Sequence, residues 1–238
     1  MNYTEDRIER EERLFNAIEN CIAFMHKKIP PDAQMKRIHQ SFISGKNMLE
    51  SNISTLKMIG FSRIDALFFY AIPPITRLYL TQSYGKRPRL NRVSIMAEYL
   101  KGFFIGVNIE CFYLVCLTKT GKLISTVEMQ RGDHDSAPFY FKQMMSMAVE
   151  KEAAALVLCH NHPGGTLRPS REDLACTLKM LKSVPCTGIL VLDHIIIARD
   201  RAVSIRETGL LPEIFWTYQD KLSALSRNWL DVELLAEK

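Results

Sequence analysis

The stretch richest in chemistry runs from Cys159-His160-Asn161-His162-Pro163-Gly164-Gly165 to Ser170-Arg171-Glu172-Asp173. An apolar run, Ala153 to Leu158, leads into it, and its length and turn-rich exit suit a buried strand better than a helix. On an extended chain, residues two apart project from the same face, so His160 and His162 can reach one metal ion together. The glycines and prolines turn the chain, Ser170 begins a helical pattern, and Asp173, one turn in, can return a carboxylate toward both imidazoles. Two nitrogens and one oxygen from the protein, with a fourth position left to water, suit zinc in a catalytic site, whereas structural sites are usually closed by four protein ligands. A plainer reading stands beside this one. Ser170 to Asp173 also satisfies a helix N-cap with an acidic residue at N3, and His-x-His recurs by chance.

The elements that must position these residues can be read outward from them. Val93 to Phe104 has helical spacing, Glu110 opens a strand over Cys111–Leu117, and a turn at Lys119-Thr120-Gly121 leads to a second strand, Leu123 to Met129, so the pair reads as a hairpin. Gly132 to Ser136 reads as a loop, and Pro138 suits the first turn of a helix running to about Lys151. Downstream follow a helix over Ser170–Ser183, an apolar strand over Gly188–Ala198 and a short strand around Ala202 to Ile205. Strands alternating with helices after a hairpin predict a three-layer α/β domain.

Ahead of that domain the apolar spacing is helical throughout. Ile8, Phe15, Ile18, Ile22 and Met25 mark one helix from Glu5 to His26, and Met35, Ile38, Phe42 and Leu49 mark a second. Leu56 to Ala66 reads as helix, glycine turn, helix, ending near Pro73-Pro74. The organisation expected is a small all-helical domain over 1–83, a basic linker over 84–92, an α/β domain over 93–211 and a helical tail over 212–238. The tail reads either as a helix packed on its own domain or as a homodimer contact.

A hydrophobic content of 47% over 238 residues supplies ample core. No apolar run approaches the roughly 18 residues of a membrane span, and the charged N-terminus is unlike a signal peptide, so a cytoplasmic protein that does not engage a membrane is expected. The six cysteines are scattered without a CxxC pair, which predicts reduced, mostly buried thiols. The net charge of +5 is uneven: residues 1–95 hold 15 Lys/Arg against 9 Asp/Glu, and the densest basic piece is Lys86, Arg87, Arg89 and Arg92. Such a patch can meet nucleic-acid phosphates or an acidic protein, or serve only as a solvated linker.

The run H-x-H, seven residues, then S-x-x-D resembles the JAMM motif of the MPN metallopeptidases, and here it is complete. Together with Leu192-Asp193-His194-Ile195-Ile196-Ile197 and Ser204 to Leu210, it is similar to the bacterial RadC branch over about Val93 to Leu211. The resemblance implies an MPN (JAMM) domain with a mixed sheet, and one zinc ion per chain on His160, His162 and Asp173. It also implies a glutamate at the mouth of the first core strand that moves the proton of the metal's water. Glu110 occupies that place, with Glu128 and Glu152 as weaker alternatives inside the hairpin and at a helix end. Ser170 would donate a hydrogen bond to the oxyanion of an amide under attack.

RadC-type proteins carry a helix-hairpin-helix segment at the place of Leu56–Ala66, a module whose amides can hold a phosphate. This copy has one glycine where G-x-G is usual, and reads as a relic or a packing domain. The chain also departs from the pattern at Gly164, at Pro138-Phe139-Tyr140 and in its tail. Asp193-His194 reads as a satisfied structural pair, Cys159 as pointing away from His160, and Cys176 as packing. The leading function is a zinc-dependent hydrolase cleaving an amide or isopeptide bond in a protein or peptide. The alternatives are a DNA-associated repair-type protein and a non-catalytic MPN scaffold, against which the complete ligand set weighs.

Overall fold

The computed structural model describes residues 3–28, 30–132 and 137–230. The loop expected over Gly132–Ser136 lies outside them from Asp133 on, as do the side chains of Pro138-Phe139-Tyr140 and the tail beyond Leu230. The chain divides into two compact units, residues 1–78 and 79–238.

The first unit is helical: α1 (Tyr3–His26), α2 (Asp32–Ser41), α3 (Gly45–Leu49), α4 (Ile53–Ile59) and the start of α5 (Arg63–Ser83). Ile18, Ile22, Ile38, Met48, Leu56, Ala66 and Phe69 form its core. The second helix expected through Leu49 is in fact two. Phe42 takes an extended conformation, and Ser44 starts α3 afresh by accepting a hydrogen bond from the Asn47 amide at 3.0 Å. Helix α4 ends at Gly60, whose φ of +109° is the left-handed conformation that glycine adopts without strain. Helix α5 runs on through Pro73 and Pro74, beyond its expected end. Each proline forfeits one main-chain bond, but a helix of 21 residues keeps its ladder on both sides.

At the start of α5, Ser62 and Asp65 cap each other: the Ser62 amide donates to Asp65 Oδ2 and the Asp65 amide to Ser62 Oγ, both at 3.2 Å. Both of these amides are therefore bonded to the protein's own side chains, one of them a carboxylate.

The second unit is built on one mixed sheet of five strands, in the order β2-β1-β3-β4-β5. These are β1 (Cys111–Leu117), β2 (Leu123–Arg131), β3 (Ala155–Asn161), β4 (Leu190–Ala198) and β5 (Arg201–Ser204). Only β3 and β4 pair in parallel. Every residue of those two strands is buried, so both faces of the sheet are covered there, which is why they read as unbroken apolar runs. Helices α7 (Ala137–Glu150) and α8 (Arg171–Thr187) pack on each other and on β2 and β4 respectively, and α6 (Val93–Lys101) packs on β4 and β5.

The basic segment 84–92 is tied to the sheet domain. The Leu90 amide donates to the Gly121 carbonyl at 2.7 Å, the Leu123 amide to the Pro88 carbonyl at 2.9 Å, and Leu90 is fully buried. The tail is likewise packed on its own domain through α9 (Glu213–Leu222) and α10 (Ala224–Arg227). Gln219 accepts from the Val191 amide at 2.6 Å, and buried Trp229 donates its indole N–H to Asp193 at 2.9 Å. Among the described residues no helix is long and apolar enough to cross a membrane.

Candidate metal centre

Antiparallel pairing sets Phe112 of β1 opposite His160 of β3, and extending that register by two positions brings Glu110 opposite His162. The chain leaves β3 in a tight turn: the His162 amide donates to Ile197 at 2.8 Å, and the Gly165 amide returns to the His162 carbonyl at 2.9 Å. Gly165 has φ +83°, the left-handed conformation that glycine adopts without strain.

Helix α8 brings the third group. Ser170 Oγ accepts from the Asp173 amide at 3.0 Å while Asp173 Oδ2 accepts from the Ser170 amide at 2.7 Å. This capping box fixes the carboxylate and leaves Oδ1 to face His160. His160 Nε2 lies 3.1 Å from Oδ1, His162 Nε2 lies 3.6 Å from Oδ2, and the two Nε2 atoms are 2.9 Å apart. The cap and the ligand set are thus one structure rather than rival readings of the same four residues.

The donor atoms fit a metal ion. Bonds of about 2.0–2.2 Å to nitrogen and oxygen hold neighbouring donors roughly 3–3.6 Å apart. His162 Nδ1 lies 2.9 Å from the Thr166 carbonyl, which can only accept, so that nitrogen carries the hydrogen and Nε2 presents a lone pair. Two ring nitrogens and a carboxylate at such separations call for a proton or a cation among them. The hydrogen bond to Asp173 raises the pKa of His162 against the opposing effect of burial, and the charge of Glu110 adds to the rise. Burial alone would raise Asp173, but the two neighbouring imidazoles, His160 and His162, outweigh it and hold the carboxyl far below its usual range.

Four further residues support it. Asn161, between the two histidines, accepts from the Cys111 amide at 2.8 Å and donates to the Ile109 carbonyl at 3.0 Å, so it grips the main chain on both sides of Glu110. His160 Nδ1 lies 2.8 Å from His194 Nε2, and His194 Nδ1 lies 2.7 Å from Thr177 Oγ1. Burial pulls His194 well below its ordinary value, so it is neutral. The ring of Phe112 stacks along His160, 6.1 Å between centroids.

The structure thus gathers His160, His162 and Asp173, with Ser170 in the cap and Glu110 close enough to act on His162. It does not gather the rest. Glu128 is engaged by Tyr113 and by both arms of Arg131, and Glu152 stands beyond the far end of β3 from the histidines. Cys159 faces the other side of β3, and burial, with the charge of Asp173, pushes the Cys176 thiol up to about 11, so it stays protonated. Lys86, Arg87, Arg89 and Arg92 belong to the segment held at the Gly121 turn. That turn lies at the opposite end of β1 from Glu110, about 20 Å of strand away.

The expected Asp193-His194 pair is split, because consecutive strand residues point to opposite faces. The Asp193 carboxylate is satisfied by Ser204, Trp229 and main-chain amides, while the His194 ring turns to the site. Sequence reading placed Asn161 in the motif loop without giving it a role, and did not find Thr177 or His194 as parts of the site. Thr177 carried a local signal, standing one helical turn after Asp173; His194 carried none.

Comparison with known proteins agrees with this geometry. A family model described as a RadC-like JAB domain matches residues 90–210. A UPF0758 protein of Paracidovorax citrulli is 30% identical over 182 residues, which is 76% of this chain and 77% of that one. A UPF0758 protein of Neisseria gonorrhoeae is 27% identical over 174 residues, covering 73% and 77%. One from Shewanella denitrificans is 33% identical over a shorter span of 122 residues, 51% of this chain and 54% of that one.

Proposed function

This chain belongs to the family of RadC-like JAB domain proteins, and from that premise we propose that it is a zinc-dependent hydrolase of amide or isopeptide bonds acting on a protein or peptide. The observation that carries the reading is the convergence of His160 Nε2, His162 Nε2 and the Asp173 carboxylate on one point. Two imidazoles and one carboxylate form the donor set of a catalytic zinc rather than of a closed structural one. When bound, the ion supplies Lewis acidity toward water and toward a carbonyl oxygen.

The chain's own residues do the rest. Glu110 takes a proton from the attacking water and delivers it to the leaving nitrogen. Asn161 keeps that carboxylate's main chain fixed to the strand of the ligands. Ser170 Oγ is an acceptor toward the Asp173 amide, which leaves its hydroxyl proton to donate to the developing oxyanion. Phe112 shields His160 on one side from water.

Zinc-loaded protein is expected to cleave members of a quenched-fluorescent panel of peptides and isopeptides. Glu110→Gln should retain about one zinc per chain and lose turnover by about 10²–10⁴-fold. Undiminished turnover in that variant would remove Glu110 from the mechanism. Wild-type protein that takes up no zinc by elemental analysis would overturn the hydrolase reading as a whole.

A further inference from the structure

We propose that Thr177 and His194 are positioning residues that lock His160 into the tautomer with hydrogen on Nδ1, and so keep its Nε2 lone pair directed at the metal position. The inference rests on the metal-site reading of His160, His162 and Asp173 and adds to it a device for loading the site.

The chain of contacts has one end whose direction is fixed by chemistry. Thr177 Oγ1 lies 2.6 Å from the main-chain carbonyl oxygen of Asp173. Two oxygens at that distance repel unless a hydrogen lies between them, and a carbonyl has none to give, so the threonine hydroxyl donates there. Having spent its only hydrogen, Thr177 Oγ1 can only accept from His194 Nδ1 at 2.7 Å, which places the hydrogen of neutral His194 on Nδ1. His194 Nε2 then holds a lone pair. At 2.8 Å from it, His160 Nδ1 must be the donor. His160 therefore turns a bare Nε2 toward Asp173 and His162, the form in which a histidine ligates.

The opposite order would have His194 donate to His160 and force the hydrogen of a neutral His160 onto Nε2, where it would block the ion. Thr177 excludes that order. His162 reaches the same state more simply, through the Thr166 carbonyl. The main chain of one ligand, Asp173, thus sets the tautomer of another, His160, through two residues that touch no ion. All of the groups in this relay are buried apart from Asp173, so water cannot substitute for a missing partner. Outer-shell partners of this kind orient metal-ligating histidines and raise their basicity.

The test uses the full-length protein, stripped of metal, with ¹⁵N-labelled histidine. Long-range ¹H–¹⁵N correlation spectra distinguish a protonated from a bare ring nitrogen without any ion present. Wild type should show His160 protonated on Nδ1 and bare on Nε2, and Thr177→Ser, which keeps the hydroxyl, should show the same. Thr177→Val should move His160 toward the Nε2-protonated form and weaken zinc binding, measured with zinc alone by chelator competition, about 10–100-fold. The fluorescence of Trp216 and Trp229, both buried in the sheet domain, reports whether each variant is folded. Wild-type His160 protonated on Nε2, or Thr177→Val with wild-type tautomer and wild-type zinc affinity, would overturn the relay. A wild type with the expected tautomer but no zinc uptake would instead overturn the metal-site reading.

Discussion

The helical unit and the sheet domain contain the same four-residue device with different outcomes. Ser62-Arg63-Ile64-Asp65 and Ser170-Arg171-Glu172-Asp173 are both reciprocal caps, each with serine and aspartate bonded to the other's amide. In both, the second carboxylate oxygen meets a histidine: His26 Nε2 at 3.0 Å from Asp65 Oδ1, and His160 Nε2 at 3.1 Å from Asp173 Oδ1. The difference lies in what stands behind the histidine. His26 is the last residue of a helix with a side chain 40% exposed, and one hydrogen on its Nε2 satisfies the contact. His160 is buried on a strand, is bonded on its far side, and has a second imidazole 2.9 Å away. The cap is a way of holding a carboxylate still; the number of lone pairs brought to that carboxylate decides between a structural pair and a metal site.

The largest effect should separate the two regions outright. His162→Ala removes the second lone pair and should abolish zinc uptake, a loss greater than the about 10–100-fold that follows from removing an outer partner. His26→Ala should leave about one zinc per chain. Elemental analysis of the two variants beside wild type decides it, and equal zinc in both would mean that the His160 cluster is no more a metal site than His26–Asp65.

A smaller effect should be shared by both caps. Ser62→Ala and Ser170→Ala each remove an N-cap acceptor, at a cost of about 0.5–2 kcal/mol to the unit that contains it. Both tryptophans, Trp216 and Trp229, lie in the sheet domain. Tryptophan fluorescence during urea unfolding should therefore register Ser170→Ala and not Ser62→Ala, whereas circular dichroism should register both. Only Ser170→Ala should also lower turnover. A Ser62→Ala variant with equally reduced turnover would show that the serine acts through stability alone.

The sequence made one half of this comparison legible and not the other. His160, His162, Asp173 and Ser170 could be read because strand and helix periodicities fix which neighbours share a face, and all four fall within 14 residues. Apolar runs bounded by turns, rather than periodicity, made β1, β3 and β4 readable as strands. What lay beyond it were contacts set by tertiary pairing. Asn161 reaches Ile109 and Cys111 only because β1 and β3 align Phe112 with His160, and His194 reaches His160 only because β4 lies parallel to β3 with Leu158 beside His194. His26 meets Asp65 across 39 residues for the same kind of reason. The break between α2 and α3 was missed because Ser44, a local cap, overrides an apolar spacing that continues past it.

The smallest effect concerns pH, and its sign separates a protonated cluster from a metal-loaded one. In metal-free protein His162 has a raised pKa, first through its bond to Asp173, so folding favours its protonated form. That contribution is complete below the unfolded value of 6.5 and is lost as pH rises through the higher folded value. Asp173 is depressed, so its contribution is present above the unfolded value of 3.8 and is lost as pH falls toward the folded one. Together they stabilise the metal-free domain most between about pH 4 and 6.5. Above that window the metal-free urea midpoint, followed by tryptophan fluorescence, should drift down. With zinc present the slope should reverse, because the ion competes with the proton on His162 and binds more tightly as that proton leaves. Parallel slopes with and without zinc would mean that the ion is not held by His162.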